Sequence, residues 1–292
     1  MKQFKSWVLA ARPKTLTASL IPIITCIGLV LSEDILIKYQ IVLYAILSSF
    51  LIQIGTNLVN DAMDFKKGAD NSDRIGPHRV TQSGIFTFKQ VMSAATFCFF
   101  LSILFGIPLV FVGGWPILII GSISVLMGYA YTSGPYPLAY KGLGDLFVIL
   151  FFGLIAVGGF YFILTGHYTI SAFILGLQVG LLSAILISIN NLRDVMTDRL
   201  VNKRTLAVRW GIEKSKYWIY FLILSPLFLG IYWLMQNKMY FFLLPLMLLP
   251  LAVSLIYKIY KNEPSAKYNQ YLAQSSAYGL LFSILFFLGT RI

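Results

Sequence analysis

Long apolar runs separated by short polar breaks dominate this chain. Nine runs can be marked off, at about 16–32, 39–59, 90–113, 115–132, 146–166, 169–190, 216–236, 239–258 and 271–290. A helix needs about 20 apolar residues to cross the hydrocarbon core of a bilayer. Backbone groups in lipid must also be satisfied within their own segment, which favours helices. The pattern therefore predicts an all-α polytopic membrane protein, with nine transmembrane helices forming a single domain over residues 1–292.

Composition agrees. The chain is 58% hydrophobic and 12% charged, against about 25% charged in soluble domains. The basic start, Met1 to Lys14, precedes an apolar run without a small-residue cleavage site, so that run reads as the first span rather than a secretory signal. Twenty of the 23 Lys and Arg fall on the side of the N-terminus and of the breaks after the second, fourth, sixth and eighth runs. Only Lys38, Lys238 and Arg291 fall on the other side. By the positive-inside rule the N-terminus and the long loops face the cytoplasm. This expectation accounts for most of the net charge of +12 and removes the need for a nucleic-acid partner. Cys26 and Cys98 sit far apart in apolar runs and read as inert thiols, while His78 and His167 are too scattered to build a metal centre.

Nine of the eleven acids belong to the cytoplasmic side. They concentrate in two places. At the end of the second run stand Asn57, Asn60, Asp61 and Asp64, spaced to share one helical face, with Asp70 beyond. At the end of the sixth stand Asn190, Asn191, Arg193, Asp194 and Asp198, with Asn190, Asp194 and Asp198 spaced four and four. Each cluster has an Asn four residues before its first Asp. Charges beside lipid are costly and need a reason. Two facing carboxylate clusters suit Mg²⁺, a hard cation usually held by one or two carboxylates plus substrate phosphates. Lys66, Lys67, Arg74 and Arg79 follow the first cluster, and Lys203, Arg204 and Arg209 follow the second, as candidates for the remaining phosphate charge. Solvated loop acids paired with topogenic Lys and Arg are the simpler alternative.

Asn60-Asp61-Ala62-Met63-Asp64 and Asp194-Val195-Met196-Thr197-Asp198 resemble the two signatures of the UbiA superfamily of intramembrane aromatic prenyltransferases. Further stretches resemble its naphthoate-prenylating branch. They are Arg12-Pro13-Lys14-Thr15-Leu16, Asp73 to Gly84, Gly142-Leu143-Gly144-Asp145 with Phe151-Phe152-Gly153, and Lys203-Arg204-Thr205-Leu206. The likeness spans about residues 10–215. Two positions depart from the wider family. Gly68 replaces a third Asp, leaving the role of Asp70 open, and Asn202 stands where Gly is frequent; Asn is the next most tolerant residue of a left-handed turn.

The resemblance implies a nine-helix bundle around a central cavity, in a cell's inner (cytoplasmic) membrane with the site toward the cytoplasm. It implies Mg²⁺ at Asp61, Asp64, Asp194 and Asp198. It also implies transfer of a polyprenyl group from an allylic polyprenyl diphosphate to 1,4-dihydroxy-2-naphthoate. Carbon dioxide and diphosphate leave and demethylmenaquinol, a menaquinone precursor, forms. In relatives the loop after the fourth run helps form the acceptor site. Here that loop offers Tyr140 or Lys141 for the naphthoate carboxylate and Asp145 for a hydroxyl proton; interfacial anchoring explains Tyr140 and Lys141 equally well. Arg12-Pro13-Lys14 either approaches a phosphate or marks the membrane interface. Two competing readings are a prenyltransferase for another acceptor, such as 4-hydroxybenzoate, and a secondary transporter. Transporter ion sites usually lie near the bilayer midplane, where this chain carries almost no charge.

Overall fold

The computed structural model describes residues 2–70, 75–76 and 79–290. Its regular structure is helical, with no strand among the described residues. In order these are α1 (Lys2–Ala11), α2 (Pro13–Leu31), α3 (Tyr39–Lys66), α4 (Phe88–Ala130), α5 (Gly144–Val148), α6 (Ala156–Thr165) and α7 (Ile170–Arg193). There follow α8 (Val195–Leu200), α9 (Leu206–Trp210), α10 (Ile212–Leu229), α11 (Ile231–Met235), α12 (Tyr240–Leu246), α13 (Leu249–Lys261) and α14 (Tyr268–Leu288). A 3-10 turn spans Leu138–Tyr140, and a π-helical stretch, Ile149–Ile155, joins α5 to α6.

Six of these stretches are long and apolar enough to cross a membrane, or up to eight if each of two bent pairs is one span. The pairs are α1 with α2, bent by 51°, and α12 with α13, bent by 43°. The chain is an integral membrane protein. The runs expected at 90–113 and 115–132 merge into α4, whose 43 residues are interrupted by non-helical Gly114 at φ 64°, ψ −153°. A straight helix with a rise of about 1.5 Å per residue would set Phe99 and Gly128 about 43 Å apart. Yet a methyl on Gly128 would meet the Phe99 ring at 3.1 Å, and one on Gly55 of α3 would meet the same ring at 2.8 Å. The helix therefore doubles back at Gly114, where only glycine accepts the backbone easily, and both arms pack on α3.

Small residues set the other close approach. A methyl on Gly153 would strike the Gly176 carbonyl oxygen and lie 2.6 Å from the Gly180 Cα. In membranes, where apolar surface gains little by leaving lipid, such small-residue contacts let backbones pack tightly. They lock the α5–α6 stretch against α7, the most buried of the spans. Trp233, wholly buried, closes the α11–α14 side against Phe241 and Phe286. Its indole N–H donates to Gln178 Oε1 at 2.9 Å, so this polar pair inside the core is satisfied.

Candidate active site

Helix α3 ends in a glycine-terminated turn that builds the first cluster. Gly68, at φ 71°, follows the C-cap Lys67, and the Ala69 N–H reaches back to the Asp64 carbonyl at 2.9 Å. That turn folds Asp70 back under the helix. Arg79 lies between the two acids, 3.3 Å from Asp64 and, through Nε, 3.2 Å from Asp70, with all three side chains buried. This answers the question raised by Gly68: Asp70 is a partner of Arg79. Asp64 also accepts the Tyr140 hydroxyl at 2.8 Å. Asp61 accepts the backbone N–H groups of Val80 and Thr81 at 3.2 and 3.0 Å.

The second cluster closes the end of α7. α7 stops at Arg193, Asp194 follows at φ −95°, ψ 10°, and Asp198 belongs to α8, while the Asp194 N–H donates to the Asn190 carbonyl at 3.1 Å and the Asp198 N–H to the Asp194 carbonyl at 2.8 Å, so the four-and-four helical spacing persists across the junction. The guanidinium of Arg193 turns onto Asp194 at 2.7 and 2.6 Å and onto Asn190 at 2.8 Å. It also donates to Asn269 of α14 at 2.7 Å, and Asn269 donates to the Ile75 carbonyl beyond the first cluster. Asp198 pairs with Lys203 at 3.3 Å. Between them Asn202 adopts φ 56°, the left-handed turn that its side chain tolerates.

The clusters converge on Tyr140 and Lys203. The ammonium of Lys67 lies 4.3 Å from the Tyr140 ring centre and that of Lys203 5.6 Å, and the Arg204 N–H donates to the Tyr140 carbonyl at 3.1 Å. Burial would lower the Lys203 ammonium, but Asp64, Asp198 and Asp194 outweigh it and raise it above its usual value. Burial raises the Asp198 carboxyl to about 6, Lys203 opposing and Asp194 and Asp64 assisting. Burial and then Asp64 hold the Tyr140 hydroxyl above the phenol range, so it remains a donor.

Among the described residues no three acids, His or Cys form a ready-made metal cage. The donor set still fits Mg²⁺, which typically needs one or two carboxylates and fills its shell with water and phosphate. Asp198 Oδ2 is buried without a hydrogen-bond partner, and so is Arg79 Nη1. One is an acceptor suited to a cation and the other a donor suited to a phosphate.

Other candidates lie differently. Asn57 is buried and donates to the Ala11 carbonyl and Thr15 Oγ1 at 3.0 and 2.9 Å, fastening the break between α1 and α2. Asn60 accepts from Thr132, and Asn191 is buried at the end of α7. Lys66 is exposed and turned onto the Phe88 ring, so the inward cation is Lys67, which donates to the Thr132 carbonyl at 2.7 Å. Lys141 is exposed over Tyr136, and exposed Arg209 donates to the Arg204 carbonyl. Asp145 is buried, accepting from Ser188 and from the Trp218 indole at 3.1 Å. Arg74 and His78 lie outside the described residues. The reading of the sequence missed Tyr131, Ser188, Trp218 and Asn269. Tyr131, Ser188 and Trp218 lay inside marked apolar runs, and nothing in the spacing set any of the four apart.

A cavity of about 590 Å³ lies nearer the start of α3 than the acids, none of which lines it. Gln53 and Thr56 of α3 and Phe147 line its near end, while Leu109, Ile117 and Ile163 line its far end. Gln53, Asn57, Asp61 and Asp64 follow one another on α3 at helical spacing, so cavity and acids are successive stretches of one helix face. Ile103 and Leu126 line the cavity and are also exposed on the outer surface.

The sequence profile of the UbiA prenyltransferase family matches residues 19–284. The 1,4-dihydroxy-2-naphthoate octaprenyltransferase of Escherichia coli is 33% identical over 98% of this chain and 94% of its own length. The protein of the same name from Haemophilus influenzae is 32% identical over 100% and 97%. Among solved structures, a UbiA homolog from Archaeoglobus fulgidus bound to GPP and Mg²⁺ superposes with a TM-score of 0.67 at 15% identity, covering 98% of this chain and 100% of that one.

Proposed function

This chain belongs to the UbiA prenyltransferase family, and on that premise we propose that it transfers a polyprenyl group from an allylic polyprenyl diphosphate to 1,4-dihydroxy-2-naphthoate, releasing carbon dioxide and diphosphate. The observation that carries the reading is the meeting of two acidic clusters and their cations, with an apolar cavity beginning on the same helix one to two turns from Asp61. A substrate with an anionic head and a hydrocarbon tail matches that polarity. The naphthoate acceptor is supported by the names of full-length relatives at 32–33% identity.

In this reading the diphosphate lies between the ends of α3 and α7–α8. Arg79, Lys67 and Lys203 bind its oxygens and stabilise the charge that grows as the carbon–oxygen bond breaks. Asp61, Asp64, Asp194 and Asp198 would hold Mg²⁺, which supplies Lewis-acid neutralisation of that charge when bound. The Tyr140 hydroxyl keeps Asp64 oriented. The cavity takes the prenyl tail and keeps water from the allylic cation. The tail leaves toward lipid between Ile103 and Leu126. The naphthoate ring carbon bearing the carboxylate forms the new carbon–carbon bond, and the electron pair of the breaking bond to CO₂ restores the aromatic ring. Taking the two arms of α4 and both bent pairs as spans gives nine, with the N-terminus and the site on the cytoplasmic side of the inner membrane.

The test uses purified protein in lipid with 1,4-dihydroxy-2-naphthoate, a polyprenyl diphosphate and Mg²⁺, read by mass. The expected product is a prenylated, decarboxylated naphthoquinol that disappears with EDTA. Prenylation of 4-hydroxybenzoate alone would overturn the acceptor assignment, and turnover of neither would overturn the reaction.

A further inference from the structure

Asp145 is the acid that the diphosphate side does not use. Its Oδ1 accepts two hydrogen bonds, from Ser188 of α7 and from the Trp218 indole of α10. Its Oδ2 is buried and has no hydrogen-bond partner. A carboxylate tied by one oxygen to two separate helices is fixed in direction, and the bare oxygen is the one left to accept a proton.

The Tyr131 hydroxyl stands beside it. A methyl on Gly144, the residue before Asp145, would lie 2.9 Å from that hydroxyl. No protein group among the described residues hydrogen-bonds to it. Tyr131 packs at 5.1 Å on Phe147, which lines the near end of the tail cavity. The hydroxyl therefore lies against the residue that precedes Asp145, on a ring that packs beside the tail cavity.

We infer that Tyr131 is the group that meets the ring hydroxyl of the aromatic acceptor, with Asp145, Ser188 and Trp218 as its positioning residues. This rests on the prenyl-transfer reading above. Once the bound acceptor draws the Tyr131 hydroxyl within hydrogen-bond reach of Asp145 Oδ2, the acceptor hydroxyl gives its proton to the Tyr131 oxygen as the new bond forms, while Tyr131 gives its own to Asp145 Oδ2. The resulting ring oxyanion supplies the electron pair for the carbon–carbon bond. After CO₂ leaves, the same proton returns by the same route, so none is consumed.

The experiment is steady-state kinetics on the full chain with acceptor and prenyl diphosphate varied separately. Tyr131→Phe and Asp145→Asn should each lower kcat/KM for the acceptor about 10²- to 10⁴-fold, with KM for the prenyl diphosphate unchanged. Trp218→Phe should give a smaller loss of the same kind. An acceptor analogue whose hydroxyl is made more acidic by a ring fluorine should recover activity in Asp145→Asn more than in the unaltered protein; a structural lesion would not respond to acceptor acidity. If Asp145→Asn fails to fold, Gly144→Ala displaces the Tyr131 hydroxyl while leaving all four polar side chains chemically unaltered, and the same acceptor-specific loss is expected. Unchanged acceptor kinetics in Tyr131→Phe and in Asp145→Asn or Gly144→Ala, or no response to acceptor acidity, overturns the inference while prenyl transfer by the unaltered protein stands. If the unaltered protein prenylates no aromatic acceptor, both readings fall together.

Discussion

Replacing Gly153 by Ala tests whether backbone packing deep in the membrane sets the geometry of the site. The added methyl would meet the Gly180 Cα at 2.6 Å and its backbone nitrogen at 2.7 Å, besides the Gly176 carbonyl oxygen. Ordinary contact begins at 3.4 Å, so the helices must part by roughly 0.8 Å. The obstacles are backbone atoms, and no rotamer change relieves them. Asp145 lies about 12 Å along one helix from Gly153, and Ser188 lies about 12 Å along the other from Gly180, at about 1.5 Å per residue. A shift of that size reaches the hydrogen bonds that fix Asp145. The Trp218 bond, already 3.1 Å, would stretch beyond useful range. Overpacking of this kind typically costs about 1–3 kcal/mol, and a 1 Å misplacement of reacting groups costs up to about 10²-fold in rate. Thermal unfolding in detergent and turnover at saturating prenyl diphosphate measure the two effects. Gly121→Ala is the folding control: its methyl meets nothing within 4 Å on α4, and there Ala should gain about 0.5–1 kcal/mol. Equal stability of the two variants, with normal turnover in Gly153→Ala, would refute the reasoning.

A larger residue at Gly121 tests the cavity. Gly121→Phe places a ring in the space lined by Gly121 and Ile117, so KM should rise more for long prenyl donors than for short ones; an equal rise at all lengths would place the tail elsewhere. Arg79→Met leaves buried Asp64 and Asp70 without their shared cation and should destabilise by about 3–5 kcal/mol; adding Asp70→Asn should restore part of the lost unfolding midpoint, and no restoration would mean the acids do not depend on Arg79. Lys203→Met should lower kcat about 10²- to 10³-fold by removing leaving-group stabilisation with acceptor KM unchanged, and a change confined to acceptor KM would move Lys203 to the other substrate. Asn202, at φ 56°, should accept Gly at little cost, whereas Val should lower the unfolding free energy by about 1–2 kcal/mol; equal stabilities for the two would remove the case for a strained turn.

Much of this was legible along the chain because membranes enforce simple patterns. Spans appear as apolar runs, and the boundary drawn between the runs at 90–113 and 115–132 falls at Gly114, where α4 leaves helical geometry. The acid clusters were legible because carboxylates beside lipid are rare enough to stand out. What periodicity could not give was the direction of side chains at helix ends. Lys66 and Lys67 are neighbours, and helical spacing alone ranks neither. The glycine turn at Gly68 ends α3 so that Lys67 caps it and faces Tyr140 while Lys66 faces Phe88. Likewise the four-residue spacing of Asp194 and Asp198 holds across the junction of α7 and α8, but spacing could not show that Arg193 turns its Nε and Nη2 onto Asp194.

The partners of Asp145 show a deeper reason. Ser188 and Trp218 come from α7 and α10, far from Asp145 in sequence, and each looks in its own helix like an ordinary interior hydroxyl or interfacial aromatic. Their relation to Asp145 depends on how closely α7 approaches the α5–α6 stretch, which is fixed by Gly153, Gly176 and Gly180. The glycines that admit the close approach lie well within the membrane, while the hydrogen bonds they permit lie at the end of the bundle. The anionic half of the site is thus written locally, in acids and the turns that follow them. The half assigned to the acceptor is written in the spacing between helices, and it is assembled only when those helices pack.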